Sequence, residues 1–483
     1  MNSGNKVLMI ILGLFLGSCY GVRPSTGGAA ASTSTRKINP SDIALPKGYA
    51  IEAVATGLTF PTGLTFDEEG IPYVVESGYS YGETWAQPRL LKIQGSNSHS
   101  VIATGENNGP WNGVTFDNGN FYIAEGGELN GGKILQITKG GKVNPVIQNL
   151  PSKGDHHTNG PIVNNGFIYF GQGTATNSAV VGEDNAKFGW LKRNPDFHDI
   201  PCKDVVLKGK NYESKNVLTE DPNDIAVTGS YVPFNTKTTE GQIIKGSVPC
   251  SGAIMRVSVD GGEPELVAWG FRNPFGLSMH EGKLFVVENG YDERGSRPVW
   301  GAGDVLWEVQ EGRWYGWPDH SGDKPLDHHG FKIPGGGKVE LLLKETPNEP
   351  LKPVAVLGVH SSSNGIDFSA SDDFGFKGMA FIAQLGDMAP NVGKVLGPVG
   401  FKLVVVDVKE GTIKDFAVNT GKKNGPASFL KKGGLERPIA VKFSPDGKSL
   451  YVVDFGILEI DGKTTTSHRG TGVIWKITKQ DAK

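Results

Sequence analysis

Two histidines stand side by side in the stretch Gly154-Asp155-His156-His157-Thr158-Asn159-Gly160-Pro161, and the whole chain has only ten. Histidine is the side chain whose ordinary pKa lies nearest neutrality, so it can take or give a proton at working pH. A general base is therefore one reading of the pair; metal ligation and an ordinary loop are the others. The pair precedes a run that reads as a strand, and successive side chains of an extended segment point to opposite sides. One of His156 and His157 should then face a site while the other braces the loop, with Asp155 a candidate partner. Three further places carry residues suited to a flat anionic ligand: Arg272 with Asn273, His360, and Arg437. Arginine grips carboxylates in a two-pronged fork. Phe60, Pro61, Pro110 and Trp111 offer apolar surface for stacking. The plain alternative is that these side chains plug a channel by bonding to backbone.

What relates these residues is an internal repeat. A small residue, an apolar residue and a further strand residue lead into a turn, and an apolar run follows, closed by a polar residue. The copies are 63–78, 113–127, 160–173, 276–290, 365–375 continued at 379–386, and 440–456. Each reads as two short strands joined by a tight turn, such as Asp117-Asn118-Gly119. A third strand follows most of them: RLLKIQ, GKILQIT, GAIMRVSV, DVLWEV, FKLVVVDV and GVIWKIT. The 69 glycines among 483 residues, roughly twice the usual share, suit many tight turns. No segment has the pattern of a long amphipathic helix. The expected fold is an all-β, six-bladed β-propeller with long inter-strand loop insertions, mainly 174–250 and 318–353. In such a fold the residues just before each first strand ring the mouth of the central channel. Asp155, His156, His157, Arg272, Asn273, His360 and Arg437 all hold that position. A second column, Glu76, Glu125, Gln172, Glu288, Gln384 and Asp454, closes each second strand. Its recurrence in every copy points to architecture, with side chains satisfying turn amides.

The first residues carry an address. Lys6 precedes an apolar run from Val7 to Leu16 that is too short to span a bilayer and reads as a signal segment. Leu16-Gly17-Ser18-Cys19 resembles a bacterial lipobox, so residues 1–19 are expected to be a lipoprotein signal ending at a lipidated Cys19. An ordinary secretory signal is the alternative. Residues 20–44 read as a flexible tether and 45–483 as the propeller. The expected location is the bacterial cell envelope, lipid-anchored, on the periplasmic or extracellular face. Three cysteines are present. With Cys19 lipidated, Cys202 and Cys250 remain as a candidate disulfide in an oxidising compartment; two buried thiols are the alternative. The net charge of −3 gives no electrostatic footprint for nucleic acid.

Three motifs carry a family resemblance: WGFRNPFGL (269–277), ENGYDERGSRPVWGAGD (288–304) and GRWYGWP (312–318). Together they resemble the glucose/sorbosone dehydrogenase family, the soluble sugar dehydrogenases dependent on pyrroloquinoline quinone (PQQ), over residues from about 45 to the C-terminus. The resemblance implies PQQ and Ca²⁺ as cofactors, a small-molecule sugar as substrate and a separate electron acceptor. The family's catalytic histidine lies in a loop opening the third blade, which is His156 or His157 here. The Asp155-His156 adjacency favours His156, and spacing to the next strand favours His157. The resemblance implies that Arg272 and Asn273 contact the cofactor, with Arg272 stabilising the reduced quinone. It places Arg437 among the cofactor-binding residues, with Lys402 as a substitute lysine and His360 added from the channel-mouth column, and gives calcium the backbone carbonyls of Arg297 and Pro298. Two positions depart from the pattern. The second arginine of the late motif is Ile439, and a family lysine falls at Gly386, with Lys394 and Lys402 as nearby substitutes. The expected reaction is oxidation of an aldose to its lactone, the histidine taking the hydroxyl proton as hydride passes to PQQ. The alternatives are a non-catalytic binding propeller and a calcium-dependent, lactonase-type hydrolase.

Overall fold

Asn118 and Gly119 take φ of 45° and 77°, the pair of positive angles that a two-residue hairpin turn demands. That turn joins strands Trp111–Asp117 and Asn120–Glu125, and the same hairpin, with other turns, recurs around the molecule. The structure is a computed structural model, described for residues 35–80, 84–187, 189–387, 397–460 and 465–480. Six antiparallel meanders form the six blades of a propeller. Their innermost strands are Pro61–Phe66, Trp111–Asp117, Thr158–Asn164, Pro274–His280, Ser363–Phe368 and Pro438–Phe443. All six expected third strands are present, and each blade adds a fourth, outer strand that the repeat did not announce. The sixth blade takes its outer strand from the other end of the chain: Tyr49–Leu58 pairs with Gly472–Lys479 and so closes the ring.

The small residue that heads each repeat has a packing reason. A Cβ on Gly63 would lie 2.7 Å from Gly113 Cα, and one on Gly113 would strike the Gly160 carbonyl. Neighbouring inner strands converge on the axis, and a side chain there would hold them apart. Between the blades, apolar faces stack into interleaved clusters, such as Phe285, Leu306, Ile366 and Ile382 between the fourth and fifth. The second-strand column works as architecture. Glu288 accepts from Arg272 N at 2.5 Å and Trp307 Nε1 at 2.6 Å. Asp454 likewise accepts from Arg437 N at 2.8 Å and Trp475 Nε1 at 3.1 Å. Each carboxylate fixes the backbone that leads into its own inner strand, and through it the residues at the channel mouth.

The two long insertions are built, not loose. The first carries two small two-stranded sheets, one nested within the other in sequence, and the helix Trp190–Arg193, and Cys202 and Cys250 are joined in a disulfide. The insertions are sewn together by Lys208 N to Leu342 O and Lys344 N to Val206 O, both 2.8 Å. The segment read as a tether is docked over its last residues. Arg36 bonds Asp454 at 2.5 Å, and Ile43–Ala44 adds a short strand to the fifth blade. A buried carboxylate needing a cation holds that segment down. Residues 1–34, with the signal and Cys19, lie outside the described residues. Cys202 and Cys250 are 48 apart in sequence. A loop that long contributes up to about 4 kcal/mol through the unfolded state. The double variant Cys202→Ser/Cys250→Ser should therefore lose up to that much in denaturant unfolding under non-reducing conditions. An unchanged midpoint would show that the bridge contributes nothing.

Candidate functional site

A cavity of about 410 Å³ opens at the channel mouth, and every blade contributes to its wall. The segments leading into the third and fourth inner strands bring Asp155, His156, His157, Arg272 and Asn273 to it, and the fifth brings His360. His156 is pinned at one nitrogen. Its Nδ1 lies 2.9 Å from the Thr174 carbonyl and 3.1 Å from Thr174 Oγ1, whose own hydrogen goes to the Thr176 carbonyl. Both neighbours accept, so these partners assign the proton to Nδ1 and leave Nε2 with a lone pair. Nε2 sits 3.5 Å from Asp155 Oδ2. Burial lowers the His156 pKa to about 3, against the pull of Asp155, so the ring is neutral. His157 also lines the cavity but turns towards another neighbourhood: Nε2 is 3.7 Å from Glu128, and the ring meets Tyr79 edge-on at 5.9 Å. It is thus His156, not His157, that stands beside Asp155.

Around Asp155 the charges interlock. Arg294 binds Asp155 closely, Asp184 at 2.7 Å and Asp292 at 3.0 Å. Arg272 binds Asp292 at 2.8 Å and the Asn177 side-chain oxygen at 2.9 Å, and lies 3.9 Å from Asp155. Burial works against the Asp155 charge, yet Arg294 and Arg272 hold its carboxyl below the usual range. His360 bonds Glu293 at 3.0 Å and faces Asp292 at 3.4 Å. Burial opposes its charge too, but these two carboxylates override it and raise the imidazole to about 10. A raised pKa means that the folded chain holds this proton more tightly than the unfolded one. The stabilisation is complete below the ordinary 6.5 and is lost as pH rises through about 10. The stability difference between the wild type and His360→Gln should shrink over that window in denaturant unfolding. A difference independent of pH would refute the charged assignment.

A third group was not anticipated. Asn112 donates to Asn159 at 3.0 Å, Asn159 to Asn273 at 2.9 Å, Asn273 to Asn289 at 2.9 Å, and Asn289 to the Ser363 carbonyl at 2.9 Å. This amide chain runs from the second blade to the fifth. Its signal was in the sequence, because Asn-Gly recurs at 112–113, 159–160 and 364–365, immediately before the strand core. Arg294, Asp292, Glu293 and Asp184 were also missed: Asp184 sits in the first long insertion, and the other three in the loop after the fourth blade's second strand, beyond the repeated unit.

Other expected site residues lie elsewhere. Arg437 occupies the anticipated column, yet it is wholly buried and does not line the cavity. Its guanidinium sits over the Phe401 ring at 5.0 Å and donates to the Leu385, Gly386, Asp387 and Leu458 carbonyls. Lys402 lies on the third strand of the fifth blade, bound to Asp415 at 2.6 Å, and is not part of the cavity wall. Arg297 and Pro298 are not part of it either. The Arg297 carbonyl accepts from Ser178 Oγ at 2.6 Å, and its side chain pairs with buried Asp319 at 2.9 Å. Arg297 ties the two insertions together, and its carbonyl is taken by Ser178. Phe60, Pro61 and Trp111 are not part of the cavity wall, whereas Pro110 is. Lys394 lies outside the described residues.

No family model matches the chain, and no curated protein does. Solved structures match over nearly its full length. The carbohydrate-active enzyme of family AA12 from Trichoderma reesei is 15% identical, with a TM-score of 0.54, covering 93% of this chain and 100% of its own. The holo PQQ domain of pyranose dehydrogenase from Coprinopsis cinerea is 14% identical, with a TM-score of 0.54, covering 93% and 99%. The apo aldose sugar dehydrogenase of Escherichia coli is 15% identical, with a TM-score of 0.50, covering 89% and 100%. The chain has the fold of these sugar dehydrogenases. On that fold, the expected cofactors can be tested against the residues present.

PQQ carries three carboxylates and needs unpaired cations. Arg272, Arg294 and His360 each already hold a carboxylate, and the wall has five carboxyl groups, Asp155, Asp184, Asp292, Glu293 and Asp304, against four cationic side chains. Where the late motif and the family lysine would supply positive charge, Ile439 and Leu385 line the cavity. Gly386 has no room for a side chain, since a Cβ would meet the Phe401 ring. Among the described residues, no group of three or more His, Cys, Asp or Glu is arranged to hold a metal ion. The residues present do not fit a tricarboxylate quinone.

Proposed function

We propose that the protein is an oxidoreductase acting on a hydroxyl group of a sugar-like small molecule, with His156 as general base. The supporting observation is the His156 ring itself, neutral, fixed at Nδ1 by Thr174 and carrying its lone pair at Nε2 beside Asp155. A substrate hydroxyl placed at Nε2 donates its proton there. The imidazolium that forms is stabilised by Asp155 at 3.5 Å, so the proton transfer does not leave a lone buried charge. Arg272 supplies a fixed positive charge for an oxygen that gains electron density in the transition state. The carbon's hydride leaves to an acceptor bound in the same cavity. The specific form implied by the sequence resemblance, PQQ- and Ca²⁺-dependent oxidation of an aldose to its lactone, is tested alongside, and no step here runs through PQQ. The experiment is dye-coupled oxidation of an aldose panel by purified protein, alone, with PQQ and Ca²⁺, and with uncharged quinones. Oxidation that disappears in His156→Ala supports the proposal; no oxidation of any aldose with any acceptor refutes it.

The lipobox-like Leu16-Gly17-Ser18-Cys19 supports a location in the cell envelope, with the protein anchored through Cys19. Mass spectrometry of the mature protein should find acylated Cys19 at the N-terminus. An unmodified N-terminus downstream of it would disprove the anchor.

A further inference from the structure

The cavity has two unlike halves. The third and fourth blades, with His360 of the fifth, supply the ionic network, whereas Leu385, Ile439, Phe455 and Leu458 of the fifth and sixth, with Phe275 of the fourth beside them, form an apolar wall. The apolar half is firmly backed, because Phe455 stacks on Phe60 with ring centres 5.4 Å apart. Arg437, the cation nearest in sequence, is held behind this wall by four carbonyls. In the polar half, every guanidinium nitrogen of Arg294 is bound to a carboxylate. Arg272 spends Nε and Nη2 on Asn177 and Asp292. Its Nη1 takes part in none of the described hydrogen bonds, so among Arg272, Arg294 and His360 it is the one charged N–H group left for a ligand, with Lys187 the remaining cation of the wall. One such group suits one carbonyl oxygen. It does not suit three carboxylates, each costly to bury without a partner.

Resting on the oxidoreductase reading, we infer that the two-electron acceptor of this site is an uncharged quinone, its ring against the Leu385–Ile439–Phe455–Leu458 wall and one carbonyl towards Arg272. The step balances. The substrate hydroxyl gives its proton to His156 Nε2 and its carbon gives a hydride to the quinone, forming the carbonyl product and the hydroquinone anion. His156 then returns the proton, giving the neutral hydroquinone. Two electrons have passed from carbon to quinone, and the histidine is neutral again.

The test measures binding without turnover. Menadione is titrated into the protein while tryptophan fluorescence is followed, since Trp190 lines the cavity, and the thermal midpoint is read in parallel. PQQ with Ca²⁺ is titrated in the same way. Menadione should bind saturably and PQQ should not over the same range. Ile439→Asp, which places a charge on the apolar wall, should weaken menadione at least about tenfold, one tenfold step being 1.4 kcal/mol. Ile439→Ala should weaken it less and keeps the test readable if the aspartate variant fails to fold. His156→Ala should bind menadione as the wild type does. PQQ binding more tightly than menadione, or no saturable binding of menadione, overturns the inference; an aldose oxidised with dye alone then leaves the oxidoreductase reading standing. Saturable menadione binding with no aldose oxidised supports the ligand class and counts against that reading.

Discussion

Replacing His156 by alanine should lower turnover by about 10²- to 10⁴-fold while leaving acceptor binding nearly unchanged. The size follows from what is removed: a neutral base fixed at Nδ1 by Thr174, with a carboxylate 3.5 Å away to receive the imidazolium. His157→Ala is the control. That ring touches Tyr79 and faces Glu128, outside the Asp155 cluster, so its loss should cost about 1 kcal/mol of stability and little turnover. The pH profile gives a second readout: burial lowers His156 to about 3, so the acid limb of kcat/KM should lie far below the ordinary histidine range. If His156→Ala keeps full turnover, the base lies elsewhere. His360 is not the replacement, because the carboxylates around it keep it protonated near neutral pH.

Arg297→Ala should destabilise the protein by about 3–5 kcal/mol, the range expected when one member of a buried ion pair is removed. Arg297 and Asp319 are both buried and 2.9 Å apart. Asp319 also accepts from Leu342 N and Leu343 N, and Arg297 donates to the Pro318 and Glu340 carbonyls. Without the guanidinium, a carboxylate and two carbonyls at the junction of the insertions lose their partner together. Urea unfolding of the wild type and the variant measures the loss. A difference below about 1 kcal/mol would mean that the junction is wet or relaxes. Chelating calcium from the wild type should not reproduce the effect, since the Arg297 carbonyl is engaged by Ser178.

The propeller could be read from the sequence because its inner strands repeat a steric demand. Gly63, Gly113 and Gly365 are small because a neighbouring inner strand leaves no room for more. The outer strands obey no such rule. Val143–Leu150 carries a proline and is largely solvent-facing, so its composition resembles a loop. Tyr49–Leu58 alternates as a strand should, but its blade cannot be known until its partner across the chain is known. The candidate site divides along the same line. Asp155, His156, Arg272, Asn273 and His360 were legible because a repeated segment delivers them to the channel. Arg437 sits in the same column and still turns away, drawn under Phe401 by carbonyls from the fifth and sixth blades. That contact is made in three dimensions and leaves no trace in the spacing. Arg294 was missed for the converse reason: it belongs to no repeat and reaches Asp155 across 139 positions of sequence.

The pairing of Tyr49–Leu58 with Gly472–Lys479 has a bearing on the order of events during synthesis. The strand Tyr49–Leu58 is synthesised long before its mate Gly472–Lys479 and stays unpaired until that segment has emerged. Until then the sixth blade lacks its edge, and Ile439, Phe455 and Leu458 have no finished blade to hold them against the other five. A nascent chain can build its earlier blades as local meanders, whereas the ligand cavity arises in a single late event that joins the most distant parts of the sequence. Such long-range closure is slow compared with hairpin formation. The acquisition of ligand binding during refolding should therefore report ring closure and lag behind the formation of β-structure.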